Sequence, residues 1–351
     1  MRVSAISLLT AALLPAVGQA QWVPQQSNTT AEIRGLVAVS PTVVWASGTR
    51  GRVLRTTDGG STWRVDTVPG ADSLDLRGIA ARGATSAVAM AAGEAEKGAA
   101  KIFRTTDGAR WSQQFDTREK GAFLDALAFW DDQHGIALGD PIDGRLFLLT
   151  TDDGGATWTR VSTANAPPVL PGEAAFAASG TCITVFGTSN VWIGTGGGAR
   201  ARVFRSSDRG HTWAVADTPL HAGNSASGIF SVAFTDARHG VVVGGEYSKP
   251  KALVDNVALT SDGGATWTRA RGPLPAGYMS AVAYLPGTNG QTVVAVGLGG
   301  TARSTDGGES WTMLDTVAYN SVVFASAKAG WAAGPRGRIA KWFPIDTTRK
   351  P

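Results

Sequence analysis

Five acidic residues stand in stretches rich in Gly, Pro and small residues: Asp125, Asp140, Asp143, Glu173 and Glu246. Paired carboxyls can hydrolyse a glycosidic bond, one protonating the leaving oxygen while the other attacks or activates water, across about 5–10 Å. Asp140, Glu173 and Glu246 are the candidates for that chemistry, and Asp125 is a candidate binding group. Tyr247, Tyr278 and Tyr319 are the side chains that would stack on or hydrogen-bond to a ligand. Each acid also has an ordinary use, as a solvated surface group or a loop anchor. A second set is basic: Arg34, Arg52, Arg77, Arg202 and Arg338. Guanidinium forks suit carboxylates, phosphates or an acidic peptide, and they serve equally well to pack their stems and hold polar loops. His134 and His239 occupy the same place in DDQHG and DARHG, so they read as turn residues and not as a metal pair. The run GTGGGAR at 194–200 lacks a strand and helix around it and is no dinucleotide loop. No metal and no cofactor are expected.

The elements that must position these residues follow from a repeat. TTDGGSTW (56–63), TDDGGATW (151–158), SSDRGHTW (206–213), TSDGGATW (260–267) and STDGGESW (304–311) are one string. TTDGARW (105–111) is a sixth copy, one residue short. Their tryptophans, Trp63, Trp111, Trp158, Trp213, Trp267 and Trp311, are spaced 48, 47, 55, 54 and 44 residues apart. That period holds four short strands and their turns, the unit of a β-propeller blade. In 228–267 the run IFSVAF reads as a first strand, VVVGG a second, NVALT a third and TWTRA the fourth. Segment 320–342 supplies NSVVFA, GWAAG and RIAKW, three strands with no box. QWVPQ at the other end resembles a fourth strand, with Trp22 standing where Trp63 stands 41 residues later. The expected fold is all-β: a single propeller of seven four-stranded blades, closed by the N-terminal strand completing the last blade and hiding its edge.

Within each box the Asp (Asp58, Asp107, Asp153, Asp208, Asp262, Asp306) can accept backbone N–H groups across its own turn, and the glycines permit positive φ. The string resembles the Asp-box, S/T-x-D-x-G-x-T-W, found in sialidases, two-propeller xyloglucanases, sortilin-type receptors and the photosystem II assembly factor family. The resemblance covers essentially all of the chain after residue 20. It implies that the boxes are structural, on hairpins between third and fourth strands and away from the ligand face. A repeated calcium site is the alternative, disfavoured because most turns offer one carboxylate.

The first 20 residues, MRVSAISLLTAALLPAVGQA, have a basic start, an apolar stretch and small residues at Gly18 and Ala20. This is the pattern of a signal peptide cleaved after Ala20, implying export to the periplasm or the medium. No second apolar run of membrane length follows, so no transmembrane segment is expected in the mature chain. The expected organisation is a leader at 1–20, the propeller at 21–345 and a short polar tail at 346–351. Formal net charge is +4, and +3 without Arg2, with no block of Lys and Arg, which argues against nucleic acid. Cys182 is the only cysteine, so it forms no internal disulfide, and its expected role is a small buried apolar residue.

In such a ring, function falls to the loops opposite the boxes: 91–101, 139–145, 163–180 and 244–256 are long or polar. Arg34 and Arg77 open first strands, while Arg52, Arg202 and Arg338 lie four residues before third-strand ends, and together they are expected to form a partial guanidinium ring at the channel mouth. Single seven-bladed proteins of the photosystem II assembly factor type are similar in units such as VAFTDARHGVVVGG followed by ALTSDGGATW. There a basic patch on the ligand face engages a protein, so the resemblance implies a monomeric, non-catalytic scaffold for a protein, peptide or other anionic ligand. The alternative is a carbohydrate-active enzyme or glycan binder. Against it, the chain has no Arg-Ile-Pro motif of the sialidases, and it is long enough for only one propeller, whereas xyloglucanases set their cleft between two.

Overall fold

The computed structural model describes residues 22–343, so the expected leader and the polar tail lie outside the described residues. Twenty-eight strands and two single-turn 3-10 segments, Ala95–Lys97 and Pro335–Gly337, make up the regular structure. After β1 (Trp22–Gln25), blade 1 is β2 (Ile33–Ala38), β3 (Val44–Gly48), β4 (Arg52–Thr56) and β5 (Arg64–Thr67), a four-stranded antiparallel meander. Five more meanders follow, at 76–116, 124–160, 183–217, 227–269 and 281–315. Blade 7 takes three strands from 321–342, and β1 pairs antiparallel with Ile339–Trp342 as its outer strand, Trp22 opposite Trp342. The fold is therefore a seven-bladed β-propeller closed by its N-terminal strand.

Each box closes the hairpin between third and fourth strands. In blade 1, Asp58 accepts the Thr62 N–H at 2.9 Å and the Thr62 hydroxyl at 2.6 Å, while the Thr56 hydroxyl donates to Asp58 at 2.8 Å and accepts Gly60 N–H at 2.8 Å. The Thr62 and Thr56 hydrogen bonds hold the Asp58 carboxyl down to about 2. Gly59 and Gly60 take φ of 71° and 88°, which side chains resist. The short copy lacks the second hydroxyl, and Asp107 instead caps the N–H groups of Ala109 and Arg110.

The box tryptophans do more than cover their turns. Trp63 packs on Trp331 and Ile339 of blade 7, Trp111 on Trp45 of blade 1, and Trp213 on Ile136 and Leu148 of blade 3. Each is a wedge between its own blade and the preceding one. Trp22 plays this part at the seventh interface, against Val294 and Ala281 of blade 6, and its indole donates to Thr301 at 3.0 Å. The indole ring also meets Trp342 edge-on at 5.0 Å. Seven interfaces thus carry seven tryptophan wedges, although only six boxes exist.

Candidate functional site

A cavity of about 420 Å³ opens at the channel mouth. It is lined by strand ends opposite the box hairpins, because an antiparallel meander puts the start of each first strand and the end of each second strand at that face. Arg34 comes from blade 1, Arg77 from blade 2, Asp125 and Asp140 from blade 3, Phe230 and Tyr247 from blade 5, Tyr278 and Leu298 from blade 6, and Asn320 from blade 7. A β-bulge explains why four of these residues reach the axis. The first strands of blades 1, 2, 3 and 5 slip register at Arg34, Arg77, Asp125 and Phe230 respectively. A bulged residue has no partner across the ladder, and the local twist re-aims its side chain. An aliphatic residue precedes each bulge (Ile33, Leu76, Leu124, Ile229) and a small one follows it (Gly35, Gly78, Ala126, Ser231). At Gly35 a Cβ would lie 2.2 Å from Ser47 Oγ, so the close strand approach needs glycine.

The long connection between blades 3 and 4 crosses this mouth as a strap. Its Ala177 carbonyl accepts from Arg77 at 3.2 Å and its Ala178 carbonyl from Arg34 at 3.0 Å. Ser179 Oγ donates to the Ser280 carbonyl of blade 6 at 2.8 Å, and Ala174 bridges Gly196 of blade 4. Phe176 stacks on Phe230 with centroids 4.0 Å apart, and Tyr278 meets Phe230 edge-on at 4.7 Å. Tyr247 and Leu298 form an exposed apolar rim. Each mouth arginine is also tied to its own carboxylate: Arg34 to Glu32 at 2.6 Å and Arg77 to Asp75 at 2.7 Å.

Asp125 and Asp140 have no such cation of their own. They lie on neighbouring strands, where Asp140 N–H donates to the Phe123 carbonyl at 2.9 Å. Asp125 is 1% exposed, and its Oδ2 is buried without a hydrogen-bond partner, as is Asp140 Oδ1. Burial, reinforced by the charge of Asp140, pushes the Asp125 carboxyl well up, against an opposing pull from Arg77. Burial raises Asp140 to about 6, although the Ala175 N–H of the strap favours its carboxylate. Behind them Cys182 is buried and free, its thiol pushed up by burial.

The remaining candidates lie elsewhere. Glu173 and Arg202 form a buried ion pair at the root of the strap, which Thr195 Oγ1 completes at 2.5 Å and Leu170 N–H at 2.7 Å. Glu246 is held by Lys249 at 2.9 Å, Ser248 at 2.8 Å and His221 at 3.3 Å, contacts that bring it down to about 2, Lys249 foremost. Arg52 donates to Thr67 and borders a separate shallow concavity with Asn28 and Arg50. Arg338 donates to the Ala318 carbonyl at 2.6 Å. The expected five-membered guanidinium ring therefore resolves into two arginines at the mouth and three farther out. The cause is radial: Arg34 and Arg77 stand on innermost first strands, whereas Arg52, Arg202 and Arg338 stand at or beside third strands. Tyr319 is core, packed on Trp22 at 5.9 Å. Asp143 is a turn residue at φ 50°, followed by Gly144 at φ 72° in a two-residue hairpin loop. His134 and His239 lie in turns capped by Asp131 and Asp236. Phe123, Phe176, Phe230, Leu298 and Asn320, with the small strap residues Ala175, Ala177 and Ala178, are the cavity residues that sequence reasoning missed. The bulge signature, aliphatic then any residue then small, was the available signal for Phe230.

Fold and site together define the class: a closed seven-bladed propeller with a strapped, carboxyl-bearing cavity on its axis. No protein-family model matches the chain, and no curated protein matches it in sequence. Solved structures do match in shape. YCF48 bound to D1 peptide is similar at a TM-score of 0.63 and 18% identity, over 96% of this chain and 100% of that one. YCF48 from Cyanidioschyzon merolae gives 0.62 and 16%, over 93% and 100%. The GH74 xyloglucanase from Xanthomonas campestris gives 0.61 and 18%, over 94% of this chain but only 55% of that enzyme. At these identities the likeness establishes the fold, and it matches the families that the box suggested.

Proposed function

We propose that the protein is an exported, monomeric, non-catalytic scaffold that captures a peptide or protein segment at the channel mouth, without affinity for nucleic acid. The observation that carries this reading is the axial cavity, to which six blades and the strap contribute polar groups and an aromatic wall. A rigid ring that converges its loops on one hollow is suited to recognition. The likeness to YCF48, solved with a D1 peptide, supports a peptide as the class of ligand. Because Arg34 and Arg77 already hold strap carbonyls and acidic neighbours, an extended chain with hydrogen-bonding groups suits the mouth better than a bare anion. The test is peptide capture from a random library by the immobilised protein. Tyr247→Ala with Leu298→Ala, both at the exposed rim, should abolish capture, and Arg52→Ala should leave it intact. The opposite pattern would overturn the proposal.

One observation favours a second reading, glycan hydrolysis: a carboxyl raised to about 6 stands beside another in a partly apolar cavity. Against it, Asp125 and Asp140 project from adjacent strands of one wall, whereas an acid and its partner must flank the bond they cleave. Sugar release from a polysaccharide panel, lost in Asp140→Asn, would establish this second reading.

A further inference from the structure

Charge is unbalanced within the cavity. Arg34 and Arg77 are each neutralised by an adjacent carboxylate, Glu32 and Asp75, and each spends a donor on the strap. Asp125 and Asp140 are left over. Asp125 is almost wholly buried with one oxygen unpartnered, and Asp140, nearer the opening, also has an unpartnered oxygen. An unsatisfied buried carboxyl is costly, and native proteins retain one chiefly where something else completes it. The surroundings indicate what that is. Phe176, Phe230, Tyr247 and Tyr278 wall the cavity, so the complementary group carries a positive charge on an apolar stem. A metal ion would want several more oxygen or nitrogen donors, and among the described residues no cluster of three metal-binding side chains exists.

Resting on the reading of the channel mouth as a peptide-capture site, we propose that Asp125 and Asp140 form a receptor for one primary ammonium group, that of a lysine side chain or of a free alkylamine. With nothing bound, burial and the neighbouring Asp140 charge favour a proton on Asp125. The groups facing them are Arg77 and Arg34 from blades 2 and 1, Tyr278 and Tyr247 across the mouth, and Cys182 from blade 4. An incoming ammonium donates hydrogen bonds to both carboxylates, its stem lies along the Phe176–Phe230 stack, and the Asp125 proton leaves to solvent. No bond is made or broken beyond that proton transfer.

The experiment is calorimetric titration of the full chain at about pH 7 with three probes: Nα-acetyl-lysine methylamide, its uncharged isostere Nα-acetyl-norleucine methylamide, and butylamine. The lysine probe should bind at least about tenfold tighter than the norleucine probe, the discrimination expected of a charge-assisted pair. Repeating the titration in phosphate and in HEPES should reveal proton release. Asp125→Asn should bring the lysine probe down to the affinity of the norleucine probe. Butylamine binding as tightly as the lysine probe identifies a free amine as the ligand, and weaker binding identifies a peptide lysine. Equal affinity of the wild-type protein for lysine and norleucine probes overturns the proposal, whatever the variant does to folding. The parent reading fails separately, in the loss of capture from the peptide library: peptides captured without lysine preference sink only the amine receptor.

Discussion

The Glu173–Arg202 pair offers the sharpest test of how the strap is held. Glu173 is a carboxylate with a fully buried side chain, and it takes four hydrogen bonds: the Arg202 Nε at 3.0 Å, the Arg202 terminal nitrogen, Thr195 Oγ1 at 2.5 Å and Leu170 N–H at 2.7 Å. In Glu173→Gln one of the two oxygens becomes an NH2 group. If it replaces Oε2 it points donors at the Arg202 terminal nitrogen and at Leu170 N–H, and if it replaces Oε1 it faces Arg202 Nε. Either way a donor meets a donor, and the guanidinium stays buried without its counter-charge. Removing one partner of such a pair costs about 3–5 kcal/mol. That is a large share of the roughly 5–15 kcal/mol that holds a domain folded. Replacing both groups avoids the stranded charge, so Glu173→Gln with Arg202→Met should recover much of the loss. The assay is urea unfolding followed by tryptophan fluorescence, together with limited proteolysis of residues 163–181. We expect the single variant to unfold at markedly lower urea and to be nicked in the strap, and the double variant to resist both. A single variant within about 1 kcal/mol of wild type, or a double variant no more stable than the single, would refute the reasoning.

Two further predictions concern ring closure and pH. Trp22→Ala removes a buried wedge and leaves Thr301 Oγ1 without its indole donor, for a loss of about 3–5 kcal/mol, and hydrogen exchange should show faster amides in 339–342; unchanged protection there would sink the closure argument. Asp58 is lowered to about 2, so its contribution is present above the unfolded carboxyl range and is lost as pH falls from about 4 to 2; Asp140 is raised to about 6, so its cost appears as pH rises from about 4 to 6. Asp140→Asn should therefore raise the melting temperature at pH 7 relative to wild type and not at pH 4, and an equal shift at both would contradict the burial of that carboxyl.

Strand order is legible because six of the seven blades write their own end: a hydroxyl, an Asp, one or two glycines and a tryptophan at near-constant spacing. Even the unboxed blade could be completed, since Trp22 stands in the register of Trp63. The site was legible only in part, and the reason is geometric. Position along a strand tells which face of the ring a residue occupies, and Arg34, Arg77, Asp125, Asp140, Tyr247 and Tyr278 line the mouth. Distance from the axis depends on which strand of the blade carries the residue and on whether the strand bulges. Arg52, Arg202 and Arg338 share the height of Arg34 but not its radius. Glu173 lies apart from the cavity for another reason: its loop is recognisably long, but nothing local says that it folds back on Arg202 and sends Phe176 over the channel. That path depends on partners from several blades, more than 100 residues away in two cases.

The closure of the ring also has a kinetic side. Trp22 and Trp342 are opposite one another across a ladder yet 320 positions apart, 342 minus 22. Bringing such distant segments together costs about 3 kcal/mol more in chain entropy than closing a loop of a dozen residues. The blades themselves are built from neighbours and can form early and locally, whereas the final strand exchange must wait for them. Until β1 docks, the strand at 339–342 is an open edge able to accept the corresponding strand of another molecule. The tryptophan wedge that seals the finished ring is thus also what sets a closed ring apart from a strand-swapped chain of propellers.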